Sequence, residues 1–379
     1  MKIEKHTWIF FLLFVGTSML NGQTSKKNDI ALTPPMGWNS FDCYGVYLYE
    51  EAAYKNLDAF VTKLKPFGYK YFVFDAGWFG EYKLCPGTKY PAERFATDLS
   101  ANEYGLLQPS KTYFPNGIKP IADRCHQLGL KFGLHIMRGI PRQSVARNVP
   151  IKGTPYHAQD IVSKKDSCKW CLQNYGVDMT KPGAQEFYNN WILELASWGV
   201  DFLKVDDIVP FPLEVEAVAK AIKNSGRDIV LSLSPGGKLD ENAISSFKKA
   251  NMLRVTKDVW DDQRAIDECF AAWRKWQGKE DRNFHIDMDM IPFGELQIMS
   301  PLPTGFSGKE TVKEINDRKK KGELSNVELL EGKGWHRQSD LSKNQMYTFI
   351  TLRSLAASPL MVGGDLVSMD PFSLSLITN

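Results

Sequence analysis

Eight short apolar runs, each followed by enough chain to return across a sheet, limit this sequence to very few architectures. They span residues 36–38, 71–75, 132–137, 202–206, 229–234, 252–256, 284–287 and 360–362. Short apolar segments bounded by glycine and acidic residues read as buried strands. Between several of them, helical periodicity predicts helices over 50–64, 118–128, 184–198, 213–225, 263–277 and 345–357. Eight strands interleaved with helices predict an α/β fold, a (β/α)8 TIM barrel. A doubly wound open sheet is the competing topology, but no glycine-rich phosphate loop follows the first run. Two irregular stretches, 84–114 and 140–175, follow predicted strands and are expected as long loops over the catalytic face. A third, 300–343, carries Arg318-Lys319-Lys320-Lys321 and reads as a solvated insertion before the last strand.

The N-terminus has Lys2 and Lys5, an apolar run from Trp8 to Leu20, then Asn21-Gly22-Gln23-Thr24. This predicts a signal peptide over 1–23, a barrel over 24–379, and a secreted or periplasmic location, with an uncleaved anchor as the alternative. The apolar run is short for a bilayer, so no stable membrane span is expected after cleavage. With 47 basic and 44 acidic side chains, the net charge of +3 gives no reason to expect a nucleic acid partner. The aromatic content, 12 %, suits a sugar-binding protein as well as a large core. Spacing does not assign pairs to Cys43, Cys85, Cys125, Cys168, Cys171 and Cys269. Cys168 and Cys171 lack a second Cys/His pair of matching spacing, so a local disulfide or two thiols is expected there, not zinc.

Acidic residues recur at the predicted strand ends. Asp75 closes the second run, Asp206 and Asp207 the fourth, Asp258 follows the sixth, and Asp287 and Asp289 stand at the seventh. In a parallel barrel these tips converge on one face and supply one pocket. Such a pocket suits glycoside hydrolysis, in which one carboxylate captures or stabilises an oxocarbenium-like state and one carboxyl protonates the leaving oxygen. Lys204, two residues before Asp206 and on the same side of the strand, keeps that carboxyl ionised. Asp258 is then the acid, lifted by its charged partner and partial desolvation. Singly, any of these aspartates reads as a helix N-cap or an ion-pair member. Asp287-Met288-Asp289 and Asp206-Asp207 also have the spacing of magnesium ligands, but without a phosphate loop no metal or organic cofactor is expected. His135 reads equally as a buried structural histidine or a sugar contact.

At these residues the chain resembles the melibiase family, glycoside hydrolase family 27, whose founding activity is α-galactosidase. The matching segments run in order through nearly the whole chain: 33–40 (TPPMGWNS), 72–78 (FVFDAGW), 131–135 (KFGLH), 198–206 (WGVDFLKVD), 254–258 (RVTKD), 287–290 (DMDM) and 358–366 (SPLMVGGDL). The resemblance implies a retaining exo-glycosidase without cofactor, acting on terminal α-D-galactosides of oligo- or polysaccharides. It implies Asp206 as nucleophile, Asp258 as acid/base, and Arg254 near the 2-hydroxyl. It further implies Asp75 at the 4- and 6-hydroxyls, Lys204 at the 3- and 4-hydroxyls, and Asp289 with Met290 in the pocket wall.

The departures bear on the sugar. Ala76 stands where galactosidases of the family usually carry a second aspartate. His135 replaces the usual tyrosine and is followed by Met137-Arg138-Gly139-Ile140-Pro141-Arg142. These features resemble a divergent branch in which β-L-arabinopyranosidase and isomaltodextranase-type activities occur. β-L-Arabinopyranose is α-D-galactopyranose without the hydroxymethyl group, so an alanine in place of a carboxylate beside that group is directly relevant. Ser234 is small enough to leave room for an N-acetyl group at the 2-position. Few residues follow Asp370, so the family's C-terminal β domain is expected to be absent or truncated. A carbohydrate-binding barrel that no longer turns over is the alternative of a different class, against which both matched carboxylates argue.

Overall fold

The computed structural model describes residues 30–81, 99–169, 171, 173–298 and 336–379. The expected signal peptide, Cys85, residues 84–98 of the first long loop and residues 300–335 of the expected insertion lie outside the described residues.

All eight expected strands form and join one parallel sheet. They are β1 (Met36–Asn39), β2 (Tyr71–Phe74), β3 (Lys131–Met137), β4 (Phe202–Asp206), β5 (Val230–Leu233), β6 (Met252–Arg254), β7 (His285–Asp287) and β8 (Leu360–Val362). From β1 to β7 each pairs with its sequence neighbour, and β8 returns to β1 with Met36 opposite Leu360. The seam between β7 and β8 is closed beyond the end of β7. There Ile291 N donates to the Met361 carbonyl at 2.8 Å and Gly363 N to the Ile291 carbonyl at 3.0 Å. The helices returning between and after the strands are α1 (Glu50–Lys63), α2 (Lys119–Gln127), α3 (Ala184–Ser197), α4 (Pro212–Ser225), α5 (Ile244–Phe247), α6 (Gln263–Trp276), α7 (Lys343–Leu355) and α8 (Pro371–Ile377). This is the expected (β/α)8 barrel.

Strand alternation sorts the side chains into two cores. Inward-facing Val73, Phe202, Val230, Met252 and Met361 form one apolar cluster that plugs the lumen. Space there is tight: a Cβ on Gly133 would lie 2.8 Å from Val73 Cγ2 and 3.0 Å from Phe202 Cβ. Outward-facing Phe72, Phe74, Leu203, Val205, Leu231 and Leu253 belong to the larger core under the helices. Two residues above the plug, the inward positions become polar. Lys204 stands above Phe202, Ser232 above Val230 and Arg254 above Met252, so the sequence period itself stacks a polar layer on an apolar floor.

Local chemistry explains where boundaries differ from expectation. Helix α7 starts before residue 345 because Ser342 is its N-cap: Ser342 Oγ accepts from Gln345 N, and Gln345 Oε1 accepts from Ser342 N. The 140–175 loop contributes antiparallel pairs of its own, Ile140–Pro141 and Val162–Ser163 flanking Asn174–Val177. Of the expected insertion, Arg337–Gln338 pairs antiparallel with Glu295–Leu296, so the described ends of that segment meet. Cys43, Cys125, Cys168, Cys171 and Cys269 are all buried and none is in a disulfide, which leaves the thiol reading for Cys168 and Cys171.

An aromatic lattice ties β1, β2 and β3 to α1. Phe72 stacks on Trp38 at 4.7 Å and meets Phe60 edge-on at 5.9 Å, and Phe74 meets Phe132 at 5.1 Å. Phe72→Ala opens a cavity at its centre and is expected to cost about 3–5 kcal/mol. Urea unfolding tests this: the midpoint falls at an unchanged slope, whereas an unmoved midpoint contradicts the packing described.

Candidate active site

The polar layer opens into a cavity of about 610 Å3 at the C-terminal ends of the strands. Its wall includes Asp75, Lys204, Asp206, Arg254, Asp258, Asp289 and Met290, seven of the nine expected site residues, contributed from β2, β4, β6 and the segment after β7. The N-cap reading fails for the strand-tip aspartates in this wall, whose partners are side chains and backbone of the pocket. A true N-cap is nearby in Asp262, which accepts from Ala265 N and starts α6.

Lys204 organises one side. Its Nζ donates to Asp75 Oδ2 at 2.8 Å, and the same oxygen accepts from Asn39 Nδ2 at 2.7 Å. Asp75 Oδ1 accepts from Ala76 N at 2.8 Å. Burial alone would raise the Asp75 carboxyl, but the charge of Lys204 holds it below its ordinary value. Asp206 behaves likewise. Burial pushes it up, while a hydrogen bond from His135 and the charges of Lys204 and Arg254 hold it well below the usual carboxylate range. Lys204 pays the same burial penalty and is carried up by Asp75 and Asp206.

His135 and Ser234 stand outside this wall. His135 is buried behind Asp206, with Nε2 3.4 Å from Asp206 Oδ2, so it is placed as a buried support of that carboxylate. Ser234 lines a much smaller void of about 20 Å3 beneath the cavity. That void shares Lys204, Arg254, Asp289 and Met290 with the cavity, so Ser234 lies below the wall.

Arg254 joins the other side. It gives Nη1 to Asp289 Oδ2 at 3.0 Å and Nη2 to Asp258 Oδ1 at 3.0 Å. Asp289 also accepts from Val259 N at 2.8 Å, which pins the loop that carries Asp258. That loop has a second anchor in the buried pair Arg337 and Asp261, with Nη2 and Oδ1 2.6 Å apart. Asp258 itself stands at the rim with its side chain 52 % exposed. It projects from a loop beyond the end of β6, so about half of its side chain is covered and the rest faces solvent.

Sequence reasoning passed over Asp42, Trp260 and the buried charge of Asp287. Asp42 lines the cavity although it is only 1 % exposed. Its Oδ2 has no hydrogen-bond partner, and burial raises its carboxyl well above the ordinary value. Its signal was present in part, since it is an acidic residue three positions past the β1 tip. Arg254 Nε, Thr256 Oγ1 and Ser234 Oγ are likewise buried without partners. Unpartnered polar atoms in and below a cavity are groups that a polyhydroxylated ligand, or the waters it orders, can satisfy.

No family model matches the chain. A β-L-arabinopyranosidase of glycoside hydrolase family 27 from Geobacillus stearothermophilus is 38 % identical, with a TM-score of 0.79, over 92 % of this chain and 75 % of that one. The chain belongs to glycoside hydrolase family 27. Among curated proteins, an α-galactosidase of Coffea arabica is 30 % identical over 255 residues. That match takes in 65 % of this chain and 52 % of the coffee protein, so it spans about half of that relative's length. An α-galactosidase 2 of Arabidopsis thaliana is 24 % identical over 378 residues, 98 % of this chain and 71 % of its own.

Asp287 gives a pH test of the site's electrostatics. Burial first, then the charge of Asp289, raises its carboxyl to about 6. A group raised on folding stabilises the fold while protonated; the contribution is complete below about pH 4, its unfolded value, and is lost as pH rises through about 6. Asp287→Asn keeps an acceptor for Asp289 N, now bonded at 2.9 Å, and removes the charge. It is expected to be more stable than wild type at pH 7.5 by about 3 kcal/mol, with the gain gone at pH 4. Thermal unfolding at both pH values measures this, and a variant less stable at both contradicts it.

Proposed function

We propose that this protein is a retaining exo-glycosidase acting on terminal pyranosides with the α-D-galacto arrangement of ring hydroxyls, with β-L-arabinopyranosides preferred to α-D-galactosides. The observation that carries the chemistry is the unequal placement of two aspartates around one cavity. Asp206 is partly buried, its side chain 15 % exposed, and held ionised, while Asp258 stands at the rim on a braced loop. Asp206 attacks the anomeric carbon as Asp258 gives a proton to the leaving oxygen, forming a glycosyl ester and releasing the aglycone. Asp258, now a base, takes a proton from water as that water attacks the ester, and Asp206 leaves as carboxylate. Substrate in the cavity covers the rim and excludes bulk water from around Asp258.

The remaining wall binds the sugar. The Lys204 and Asp75 pair offers a donor and acceptors to neighbouring hydroxyls, and Arg254 lies toward the 2-hydroxyl. Phe41, Asp42 and Met290 add to the wall that receives the non-reducing end, as an exo mode of action requires. The mechanism uses no metal or organic cofactor.

Preference for the pentopyranoside rests on Ala76, a buried methyl in the cavity wall beside Asp75. It offers no polar group to a hydroxymethyl substituent. The Geobacillus relative named as a β-L-arabinopyranosidase supports the same reading. The α-galactosidase names of the coffee and Arabidopsis relatives support the second reading, hydrolysis of α-D-galactosides. Export is proposed from the N-terminal sequence pattern; among the described residues no helix is long and apolar enough to cross a membrane.

Paired 4-nitrophenyl β-L-arabinopyranoside and α-D-galactoside give the test. Wild type is expected to show the higher kcat/KM on the arabinopyranoside, and Ala76→Asp to shift the ratio toward the galactoside by about 10-fold or more. Asp206→Ala is expected to lose turnover of both by several orders of magnitude. A galactoside preference in wild type selects the second reading, and full activity in Asp206→Ala overturns the mechanism.

A further inference from the structure

The segment Met137-Arg138-Gly139-Ile140-Pro141-Arg142, which leaves the tip of β3, takes no part in the cavity wall. Its Arg138 is 1 % exposed, yet every nitrogen of the guanidinium is engaged. Nε donates to the Asp207 carbonyl at 2.9 Å, and Nη2 to Asp207 Oδ2 at 2.7 Å and the Asp166 carbonyl at 2.7 Å. Nη1 donates to Glu214 Oε1 at 2.7 Å, and the guanidinium lies 3.5 Å over the Phe211 ring. The Arg138 main chain also acts, its N donating to the Asp206 carbonyl at 2.9 Å.

One residue therefore holds the carbonyls of both Asp206 and Asp207. Between those two contacts the chain turns sharply: Asp207 has φ of 60°, a left-handed conformation that costs a non-glycine residue about 1 kcal/mol or more. The turn brings Asp207 N back to Asp206 Oδ1 at 3.1 Å, the carboxylate opposite His135. Gly236 leaves space for it, since a Cβ there would lie 1.9 Å from Asp207 Oδ1. Behind the turn, Glu214 in the first turn of α4 also accepts from the Tyr188 hydroxyl of α3, and that hydroxyl accepts from Gly139 N at 3.1 Å. Two carboxylates around one guanidinium, all at most 4 % exposed, make a costly cluster to bury. Apolar packing of the same volume is often as stabilising or more so, so stability alone does not account for it.

We propose that Arg138 is a positioning residue for the nucleophile: by clamping Asp207 and the Asp206 carbonyl to α4 and to the loop over the catalytic face, it fixes the direction of the Asp206 carboxylate. This rests on Asp206 being the nucleophile. The expected signature is a loss in the chemical step with binding preserved, because a displacement of about 1 Å in a reacting group can cost about 100-fold.

Arg138→Met strands two buried carboxylates and can fail to fold, so the test uses Arg138→Lys and Asp207→Asn in the full chain. Lysine keeps the charge without the fork that spans Asp207, Asp166 and Glu214. Asparagine keeps an oxygen for Arg138. In folded Arg138→Lys, kcat on the preferred aryl glycoside is expected to fall about 10- to 100-fold with KM within about twofold. Binding of the free sugar, measured by calorimetry, is expected to stay at the wild-type value, and Asp207→Asn to retain more kcat than Arg138→Lys. Wild-type kcat in folded Arg138→Lys overturns the proposal, as does a loss that appears in KM and sugar affinity. If wild type itself turns over neither glycoside, the proposed function fails and this role fails with it; active wild type with unaffected variants removes only the role of Arg138.

Discussion

Lys204 is the interaction on which the arrangement of the polar face depends. It is a lysine placed inside a barrel lumen, two residues above Phe202 of the apolar plug, with a side chain only 11 % exposed. An isolated ammonium there would be costly, and it is tolerated because Asp75 and Asp206 stand on tips that converge on it. The dependence is mutual, since those two carboxylates keep their charge in a buried site through the same cation. In the low effective dielectric of such a site these attractions are several times stronger than in water. Where one lysine falls in the period of β4 thus decides which carboxylates stay ionised in the cavity, Asp206, the proposed nucleophile, among them.

The second carboxylate is distinguished by position. Asp258 hangs from a loop held at Asp289 and Arg337, with Arg254 bonded to both Asp258 and Asp289. Arg254 therefore links the rim of the cavity to its buried charges. The two aspartates differ in setting because one ends a strand within the lumen and the other stands four residues past the strand-six arginine, where solvent reaches it; the proposed division of roles rests on that difference.

Much of this was legible in the sequence. The barrel follows from eight apolar runs, and the inward polar layer from a period of two: Phe202, Lys204 and Asp206 could only face the same side of one strand. Burial at Asp42 was not legible, because it depends on Gly363 across the seam with β8, where a Cβ would lie 1.9 Å from Asp42 Oδ2. The cluster of Arg138 with Asp207 and Glu214 was hidden for the same reason, as its members lie 69 and 76 residues apart. Local pattern specifies strand, face and tip; it does not specify which side chains of different strands meet. The degree of cover at Asp258 was likewise not legible, because a loop position beyond the end of β6 fixes neither face nor depth.

Whether Asp206 is the nucleophile of a retaining reaction can be measured directly. The protein is incubated with a fluorinated aryl glycoside whose glycosyl-enzyme hydrolyses slowly, then digested and mapped by mass spectrometry. The expected result is one glycosyl unit per chain, ester-linked to Asp206, with loss of activity in step with labelling. Turnover of the unfluorinated glycoside with label on another residue, or with no covalent label at all, would contradict it.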